Sequence, residues 1–151
     1  MKQMFKRLPG VALLLFIAIQ FIPRGYNEAG NTAVHDIAGV YHIPAGVGLI
    51  LKRSCYDCHS NQTIYPWYAR LQPVRLLMDQ HVRDGRVELN FNAFGTYSAR
   101  KQRSKLRAIG ESLDEGSMPL SSYTLLHRDA ILSRAEQLLL MNWVKQTSDS
   151  L

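Results

Sequence analysis

The stretch Cys55-Tyr56-Asp57-Cys58-His59 decides what this chain of 151 residues can fold around. Two cysteines stand with two residues between them, and a histidine follows the second cysteine directly. On one turn of helix, two thiols at this spacing can each add to a vinyl group of the same porphyrin, and the next imidazole can bind the porphyrin iron. The motif therefore predicts one covalent haem c, with Cys55 and Cys58 as thioethers and His59 as the proximal iron ligand.

Three other uses of the two cysteines fit the sequence less well. A closed zinc site needs four ligands, and it would have to recruit two of five scattered histidines. A thioredoxin-like dithiol needs a strand before the motif, and residues 49–53 are thin evidence for one. A disulfide across two intervening residues would be strained and would stabilise little. Since the chain has no other cysteine, nothing else competes for this pair.

Composition and charge allow one domain of ordinary globular character. Hydrophobic residues make up 46% of the chain, and the formal net charge is +6. This charge permits docking to an acidic partner or proximity to anionic lipid. No basic–aromatic RNA motif or zinc-finger spacing is present in the sequence, so we expect no nucleic-acid partner.

The N-terminus has the pattern of an export signal. Lys2, Lys6 and Arg7 precede an apolar run over residues 8–22. No clean small-residue cleavage site follows, which favours an uncleaved signal anchor over a removed signal peptide at residues 1–24. Basic residues before the apolar run predict that the rest is exported. We therefore expect a protein of the periplasmic side of the inner membrane, anchored there, or a periplasmic or secreted protein.

The remaining sequence predicts an all-α domain over residues 45–148, preceded by a linker or N-terminal arm at 25–44. We expect helices at 45–56, at 71–82 with Gly85 as a C-cap, at 98–114 with Gly116 as a stop, and from 134 to about 146. Ser133 and Glu136 form a capping box before the last helix, which should bury Leu138 and Leu139 together with Met141, Trp143 and Val144. Residues 87–94 alternate like a strand, but we interpret them as an extended loop across the cofactor.

Aromatic residues after the motif are candidates for a haem wall. Tyr65 and Trp67 flank Pro66, and a flat porphyrin needs rigid apolar neighbours, although ordinary core packing explains the same residues. Arg86 is a candidate partner for a haem propionate, since arginine pairs with carboxylates. Pro66 or Pro73 is a candidate to supply the carbonyl that holds the second nitrogen of His59.

Met118 is the candidate distal iron ligand. It follows Gly116 and precedes Pro119, so it lies in a loop rather than on the face of a helix. A thioether is a soft ligand that raises the potential of haem iron. A methionine that fills the core is the ordinary alternative, and His81 and His127 are the rival ligands.

A basic run occupies the predicted helix at 98–114. The residues are Arg100, Lys101, Arg103, Lys105 and Arg107. Such a run is usually a solvated face, and the more specific interpretation is a docking surface for an acidic redox partner.

Together these residues resemble the haem-binding-domain family of exported bacterial c-type haem proteins, which is related to class I cytochromes c. The resemblance covers about residues 46–145. Besides the first motif, its marks are the aromatic stretch at 65–68, His81 with residues 85–86 and 89–91, residues 118–120 with Tyr123 and His127, and residues 132–133 before a final helix containing Trp143.

The resemblance implies a small cytochrome c-like helical domain wrapped around one haem. In class I cytochromes c the distal ligand is a methionine in a loop before the last helix, which matches Met118. The segment from His81 to Phe94 departs from that pattern.

We therefore expect a monohaem c-type cytochrome that transfers single electrons outside the cytoplasmic membrane, and no enzyme activity. The alternatives are a haem-based sensor with an open sixth position and an accessory haem subunit of a peroxidase-type enzyme. An acidic redox protein would be the partner, with the membrane contacted through the N-terminal segment.

Overall fold

A computed structural model describes residues 2–23, 25–30 and 33–151 of the chain. Met1, Arg24, Asn31 and Thr32 lie outside the described residues. The described part contains eight α-helices and no strand, so the predicted all-α class is confirmed. The helices are α1 (Lys2–Ile19), α2 (Ile37–Val40), α3 (Ala45–Ser54), α4 (Tyr56–His59), α5 (Val74–Glu88), α6 (Ala99–Asp114), α7 (Ser121–Thr124) and α8 (Arg134–Asp149). Short 3₁₀ turns cover Ala33–His35, Trp67–Arg70, Phe91–Thr96 and Arg128–Ala130.

The core forms where α6 packs against α8, with α3 alongside α8. Its buried apolar side chains come from α3, the turn at Phe91–Thr96, α6 and α8; they include Val47, Ile50, Leu51, Phe91, Phe94, Leu106, Leu113, Leu140, Trp143 and Val144. In α8 the buried leucine is Leu140, whereas Leu138 and Leu139 are exposed, so that part of the prediction was wrong. The indole N–H of Trp143 donates to the His42 carbonyl at 3.2 Å, which satisfies its polar atom in the core.

The ends of α6 and α8 are set by local signals. The Ser98 hydroxyl accepts a hydrogen bond from the Lys101 N–H and begins α6. Gly116 adopts φ +66, the left-handed conformation that ends helices, and the Ser117 N–H donates back to the Ser112 carbonyl at 3.0 Å. Ser133 and Glu136 form the predicted capping box of α8. Both predicted helices are confirmed, and α8 runs on to Asp149.

Helix α5 differs from the prediction at both ends. It begins at Val74 rather than Leu71, and it continues through Gly85 to Glu88. The extended loop predicted for residues 87–94 was therefore wrong. Its first residues complete α5, and a 3₁₀ turn begins at Phe91 because the Asn90 side chain accepts from the Asn92 N–H and caps it.

Part of the N-terminal arm packs into the domain. Ile37 is fully buried in the main core, and Asp36 caps α2 by accepting from the Ala38 N–H at 2.8 Å. Asn27 is buried, and its side chain donates to the Ser60 carbonyl and the Thr63 hydroxyl, both at 2.9 Å. This arm therefore supports the residues that follow the cysteine motif.

The apolar N-terminal run forms α1. Most of its described apolar side chains are exposed. No helix in the described part of the chain is both long and apolar enough to cross a membrane.

Candidate functional site

The cysteine motif lies at a break between two helices. Helix α3 ends at Ser54, Cys55 adopts a non-helical conformation, and α4 runs from Tyr56 to His59. The N–H groups of Cys58 and His59 both donate to the Cys55 carbonyl, at 3.2 and 3.0 Å. One turn therefore carries both thiols and the imidazole, as the spacing predicts, and both cysteines are free.

Two adjoining cavities, here called the motif cavities, surround this turn. They share Ser54, Cys55, His59, Glu88, Met118 and Pro119. One extends into the core along Phe91, Leu113, Leu132 and Leu140, and the other extends past Cys58 to His81 and Tyr123. The structure thus brings the two cysteines, His59, Met118 and His81 around one largely apolar space.

The His59 ring is oriented by α5. Its Nδ1 lies 2.9 Å from the Gly85 carbonyl oxygen and 3.0 Å from that of Leu89. Carbonyl oxygens only accept, so Nδ1 carries the proton and Nε2 keeps a free lone pair for a metal. The candidate carbonyls of Pro66 and Pro73 were wrong, because the acceptors come from the end of α5.

Gly85 permits this arrangement because it has no side chain. A Cβ at this position would lie 2.8 Å from the Cys58 carbonyl oxygen and 3.2 Å from the Cys58 Cβ. Only glycine lets the backbone of α5 approach the motif turn closely enough to place its carbonyl on His59. Gly85 is the one sequence feature that could have indicated this close approach, but the sequence pattern predicts a C-cap there.

The two residues between the cysteines fix the turn from both sides. The Tyr56 ring stacks on Phe91 with centroids 5.0 Å apart, and its hydroxyl donates to Asp36 at 3.2 Å. Asp57 accepts from the Tyr123 hydroxyl at 2.8 Å. Burial, and then the Asp36 charge and hydrogen bond, raise the pKa of Tyr56. Burial, and then the hydrogen bond to Asp57, raise the pKa of Tyr123, so both phenols stay protonated donors.

An asparagine network holds the chain just after the motif. The Asn61 N–H donates to the Asn92 side-chain oxygen at 2.6 Å, and the Asn92 amide donates to Asp36 at 2.6 Å. The Asn90 amide donates to the Asn61 side-chain oxygen at 2.7 Å. These bonds link the motif, the N-terminal arm and the turn after α5, so the position of His59 is set by three segments.

Both thiols are protonated in this environment. Burial, and then the neighbouring Cys58, raise the pKa of Cys55 to about 12. Burial, and then the Asp57 charge, raise the pKa of Cys58 to about 11. Both groups are therefore thiols rather than thiolates near neutral pH.

Met118 is held much more loosely than His59. Gly116 turns the chain after α6, and the Met118 N–H donates to the Ser112 carbonyl at 3.3 Å. The side chain lines both motif cavities and is still 37% exposed. Its position is thus set by a helix end and a short loop.

The two rival histidines are placed differently. His81, on α5, lines the motif cavity that contains Cys58. His127 lies in a third cavity, which Cys58 and His81 also line. Its Nε2 is 3.0 Å from the Tyr68 hydroxyl, and its ring stacks on Tyr123 with centroids 4.1 Å apart. Both histidines therefore lie near the motif, and His127 is engaged by two tyrosines.

The structure places Tyr65, Trp67 and Arg86 away from the motif cavities. The Tyr65 hydroxyl accepts from the Asn27 N–H at 2.9 Å, and Trp67 is 74% exposed. Arg86 donates to the Asn61 side chain at 3.0 Å and lines a separate surface cavity. Their cofactor-binding roles stay predictions from the sequence.

Other aromatic and basic residues line the motif cavities. Phe91 and Tyr123 are the aromatic side chains on the walls of the motif cavities. Lys105 of α6 is the one lysine or arginine on those walls within the described ranges, and it pairs with Glu88. The hydrogen bond and charge of Lys105 lower the pKa of Glu88.

The residues around the motif cavities fit a covalently held haem. They provide two thiols, an imidazole with Nε2 free, a thioether and apolar walls, which is the donor set of a c-type centre. Within residues 2–23, 25–30 and 33–151, no group of three or more His, Cys, Asp or Glu side chains is arranged to hold a metal ion.

Comparison with known proteins gives one match. A family model described as a haem-binding domain matches residues 14–146. No curated protein and no solved structure matches the chain.

Proposed function

The chain belongs to the haem-binding-domain family, and from this premise we propose that it is a monohaem c-type cytochrome transferring single electrons outside the cytoplasmic membrane. In this proposal Cys55 and Cys58 carry the thioethers, His59 is the proximal ligand and Met118 is the distal ligand. The observation that carries it is the set of cavities shared by Cys55, His59 and Met118 beside Cys58.

A bound haem would supply reversible one-electron oxidation and reduction of its iron. The chain supplies the surroundings. The hydrogen bonds from Nδ1 to the two α5 carbonyls fix the His59 ring and increase the basicity of Nε2. Phe91, Leu113 and Leu140 exclude water from the motif cavity that extends into the core, which raises the free energy of a buried charge there. A thioether from Met118 would favour the reduced state.

Helix α6 is our proposed docking surface for an acidic redox partner. Lys105, Ile109 and Ser112 line a motif cavity on one side of the helix. Arg100, Lys101 and Arg107 are exposed on it. A negatively charged protein attracted to these side chains would approach the wall of the cavity. Export and membrane attachment through residues 1–24 complete the proposed location on the periplasmic side of the inner membrane.

The first test of the proposed function is the visible spectrum and reduction potential of the purified protein, produced in a host that can attach haem c. We expect narrow bands in the reduced protein and a reversible one-electron couple with a potential in the range of His/Met haems. A protein without a haem spectrum, or one that cannot be reduced and reoxidised, would contradict the proposal.

A haem-based sensor is the second candidate, because Met118 is more than a third exposed in a short loop. A ligand so loosely held can be displaced by a small molecule. Rapid carbon monoxide binding to the reduced protein at neutral pH would favour this candidate, and slow or absent binding would favour the electron carrier.

We propose that Lys105, rather than Arg86, is the cation that faces a haem propionate. Lys105→Gln should lower the reduction potential by roughly 20–60 mV, since about 59 mV corresponds to a tenfold change for one electron. The matched control is Lys101→Gln, one turn earlier, whose ammonium lies 4.0 Å from the centroid of the Tyr97 ring. Equal shifts in both variants would show only a general surface charge effect. A shift in Arg86→Gln alone would return the role to Arg86.

A further inference from the structure

Seven large apolar side chains are exposed around the mouth of the cavity that contains His127. This apolar patch consists of Ile64, Trp67, Leu71, Val74, Leu77, Leu125 and Leu126. Ile64, Val74, Leu77 and Leu126 line that one cavity. Trp67 and Leu125 adjoin wall residues in the chain, and the Trp67 ring packs edge-on against the Tyr68 ring. The Leu71 N–H donates to the Tyr68 carbonyl at 3.0 Å. The seven side chains therefore lie around one cavity.

The apolar N-terminal helix ends beside this patch. The Gln20 side-chain amide donates to the Gln72 carbonyl at 3.2 Å, and the Gln72 N–H donates to the Gln20 side-chain oxygen at 3.0 Å. Gln72 is buried and stands next to Leu71 in the chain. This pair of hydrogen bonds fixes the end of α1 against the start of the patch.

Helix α1 carries further exposed apolar side chains. Its exposed large apolar side chains are Leu8, Val11, Leu13, Leu14, Leu15, Phe16 and Ile17. Soluble monomers rarely expose so many large apolar side chains, which favours a common cover over α1 and the patch. A lipid bilayer is an amphiphilic surface large enough to contact α1 and the apolar patch at the same time.

Side chains at the edge of the patch suit the lipid–water interface. Trp67 is 74% exposed, and tryptophan is enriched where headgroups meet acyl chains. Arg70, in the same 3₁₀ turn, is exposed, and the chain carries a net charge of +6, which favours anionic headgroups. We propose that the apolar patch and α1 lie together in the interface of a membrane that contains anionic lipid, with Trp67 at headgroup level.

Two members of the patch allow a test that is independent of the haem site. Leu71 and Leu125 contribute to none of the three cavities around the motif and His127, and neither is a candidate for the haem wall. Their replacement should therefore leave the haem spectrum unchanged. The proposal does not rest on a redox role, so its failure and the failure of the proposed function are distinguishable.

The experiment measures the partition of full-length holoprotein into vesicles of phosphatidylcholine with a minor fraction of phosphatidylglycerol. The test variant is Leu71→Ser/Leu125→Ser. The matched control is Leu49→Ser/Val87→Ser, which removes two exposed apolar side chains elsewhere. We expect the partition coefficient to fall about tenfold or more for the test variant and less than about twofold for the control, because apolar contact scales with the area removed.

Hydrogen exchange on the same vesicles gives a second readout, which does not depend on how tightly α1 binds. Amides in residues 63–71 and 120–127 should exchange more slowly on vesicles than in solution, whereas those in residues 99–114 should not change. Equal partition of both variants together with unchanged exchange overturns the proposal. An altered haem spectrum in the test variant also overturns it, because the patch would then belong to the haem site. Loss of self-association without loss of partition overturns it as well, because the patch would then contact a second copy of the chain.

Discussion

His59 and Met118 line the same cavities, yet the chain holds them in opposite ways. His59 is fixed through the carbonyl of Gly85 in α5 and that of Leu89 directly after α5. The residues around it bond to the N-terminal arm, to Phe91–Thr96 and to Tyr123. Met118 follows a helix end and is held through one backbone bond to Ser112. The proximal side is therefore set before any ligand binds, whereas the distal side is free to adapt.

This difference separates two tasks within one site. A rigid proximal imidazole sets the electronic character of a bound iron, because hydrogen bonds to a ligand change its basicity. An adaptable distal ligand decides whether the sixth position stays closed. Changes on the proximal side should alter stability and potential together, and changes on the distal side should alter the spectrum with little effect on stability.

The largest effect is expected from the cysteines themselves. Cys55→Ser/Cys58→Ser should leave the haem extractable by acidified organic solvent and lower the midpoint of thermal unfolding more than any other variant, because a bound cofactor stabilises the folded state. Cys55→Ser alone keeps one attachment and should fall between the double variant and the wild type. A double variant that folds normally without haem would show that the domain is not built around the cofactor.

The sequence predicts the proximal ligands because their chemistry is local. Five consecutive residues carry both attachment points and the imidazole, and the caps at Ser98 and Ser133 likewise depend on neighbours a few residues away. The end of α5 was predicted wrongly for the opposite reason. Gly85 looks like a C-cap in the sequence, but its lack of a side chain serves contact with Cys58, which is 27 positions away.

Long-range contacts also explain what the sequence left open at the site. The carbonyls that hold His59 are 26 and 30 residues away along the chain. Aromatic composition indicates apolar surface without saying which side of the fold it covers, so Trp67 and Phe91 could not be distinguished. Arginine and lysine are equally possible propionate partners until helix packing decides that Lys105 reaches the cavity.

Gly85→Ala tests the rigid side. The new Cβ must push α5 away from Cys58, which should cost about 1–3 kcal/mol of unfolding free energy. Loss of the bonds to His59 should also raise the reduction potential, since the imidazole becomes less basic. Urea unfolding and redox titration measure the two effects.

The matched control is Gly110→Ala in α6. A Cβ there meets only a Val144 methyl at 3.9 Å, so this change should stabilise the protein by about 0.5–1 kcal/mol. If Gly85→Ala behaves like Gly110→Ala, α5 does not restrain the motif turn.

Met118→Ala tests the adaptable side. We expect a lower reduction potential or an open sixth position, with a change in unfolding free energy below about 1 kcal/mol because the side chain is partly exposed. Met141→Ala, on α8 and outside the three cavities around the motif and His127, makes the same deletion and should leave the spectrum unchanged. An unchanged spectrum in Met118→Ala would transfer the distal role to His81, which His81→Ala would then reveal.

The smallest effect concerns acid stability near the motif. Hydrogen bonds from the Ser133 N–H, then from Arg53 and the Ser133 hydroxyl, lower the pKa of Glu136 from 4.5 to about 2. Arg53 precedes the motif by two residues and joins α8 to α3 through this pair, at 2.7 Å. A pKa lowered in the folded state gives stability that is present above about pH 4.5 and is lost as the pH falls toward about 2.

Glu136→Gln should remove this pH dependence. The wild type should lose free energy of unfolding between about pH 4.5 and pH 2, and the variant should lose less over the same interval. Glu111→Gln, on the exposed face of α6, is the control and should follow the wild type. If the free energy of unfolding depends on pH in the same way for all three proteins, Glu136 does not contribute to acid unfolding.

The central claim is that one haem is bonded to Cys55 and Cys58, and peptide mass spectrometry tests it most directly. Trypsin cleavage after Arg53 and Arg70 releases residues 54–70, which contain the whole motif. When the protein is produced in a host that attaches haem c, this peptide should weigh its amino acids plus one haem and absorb visible light. A peptide with the mass of its amino acids alone would contradict the account.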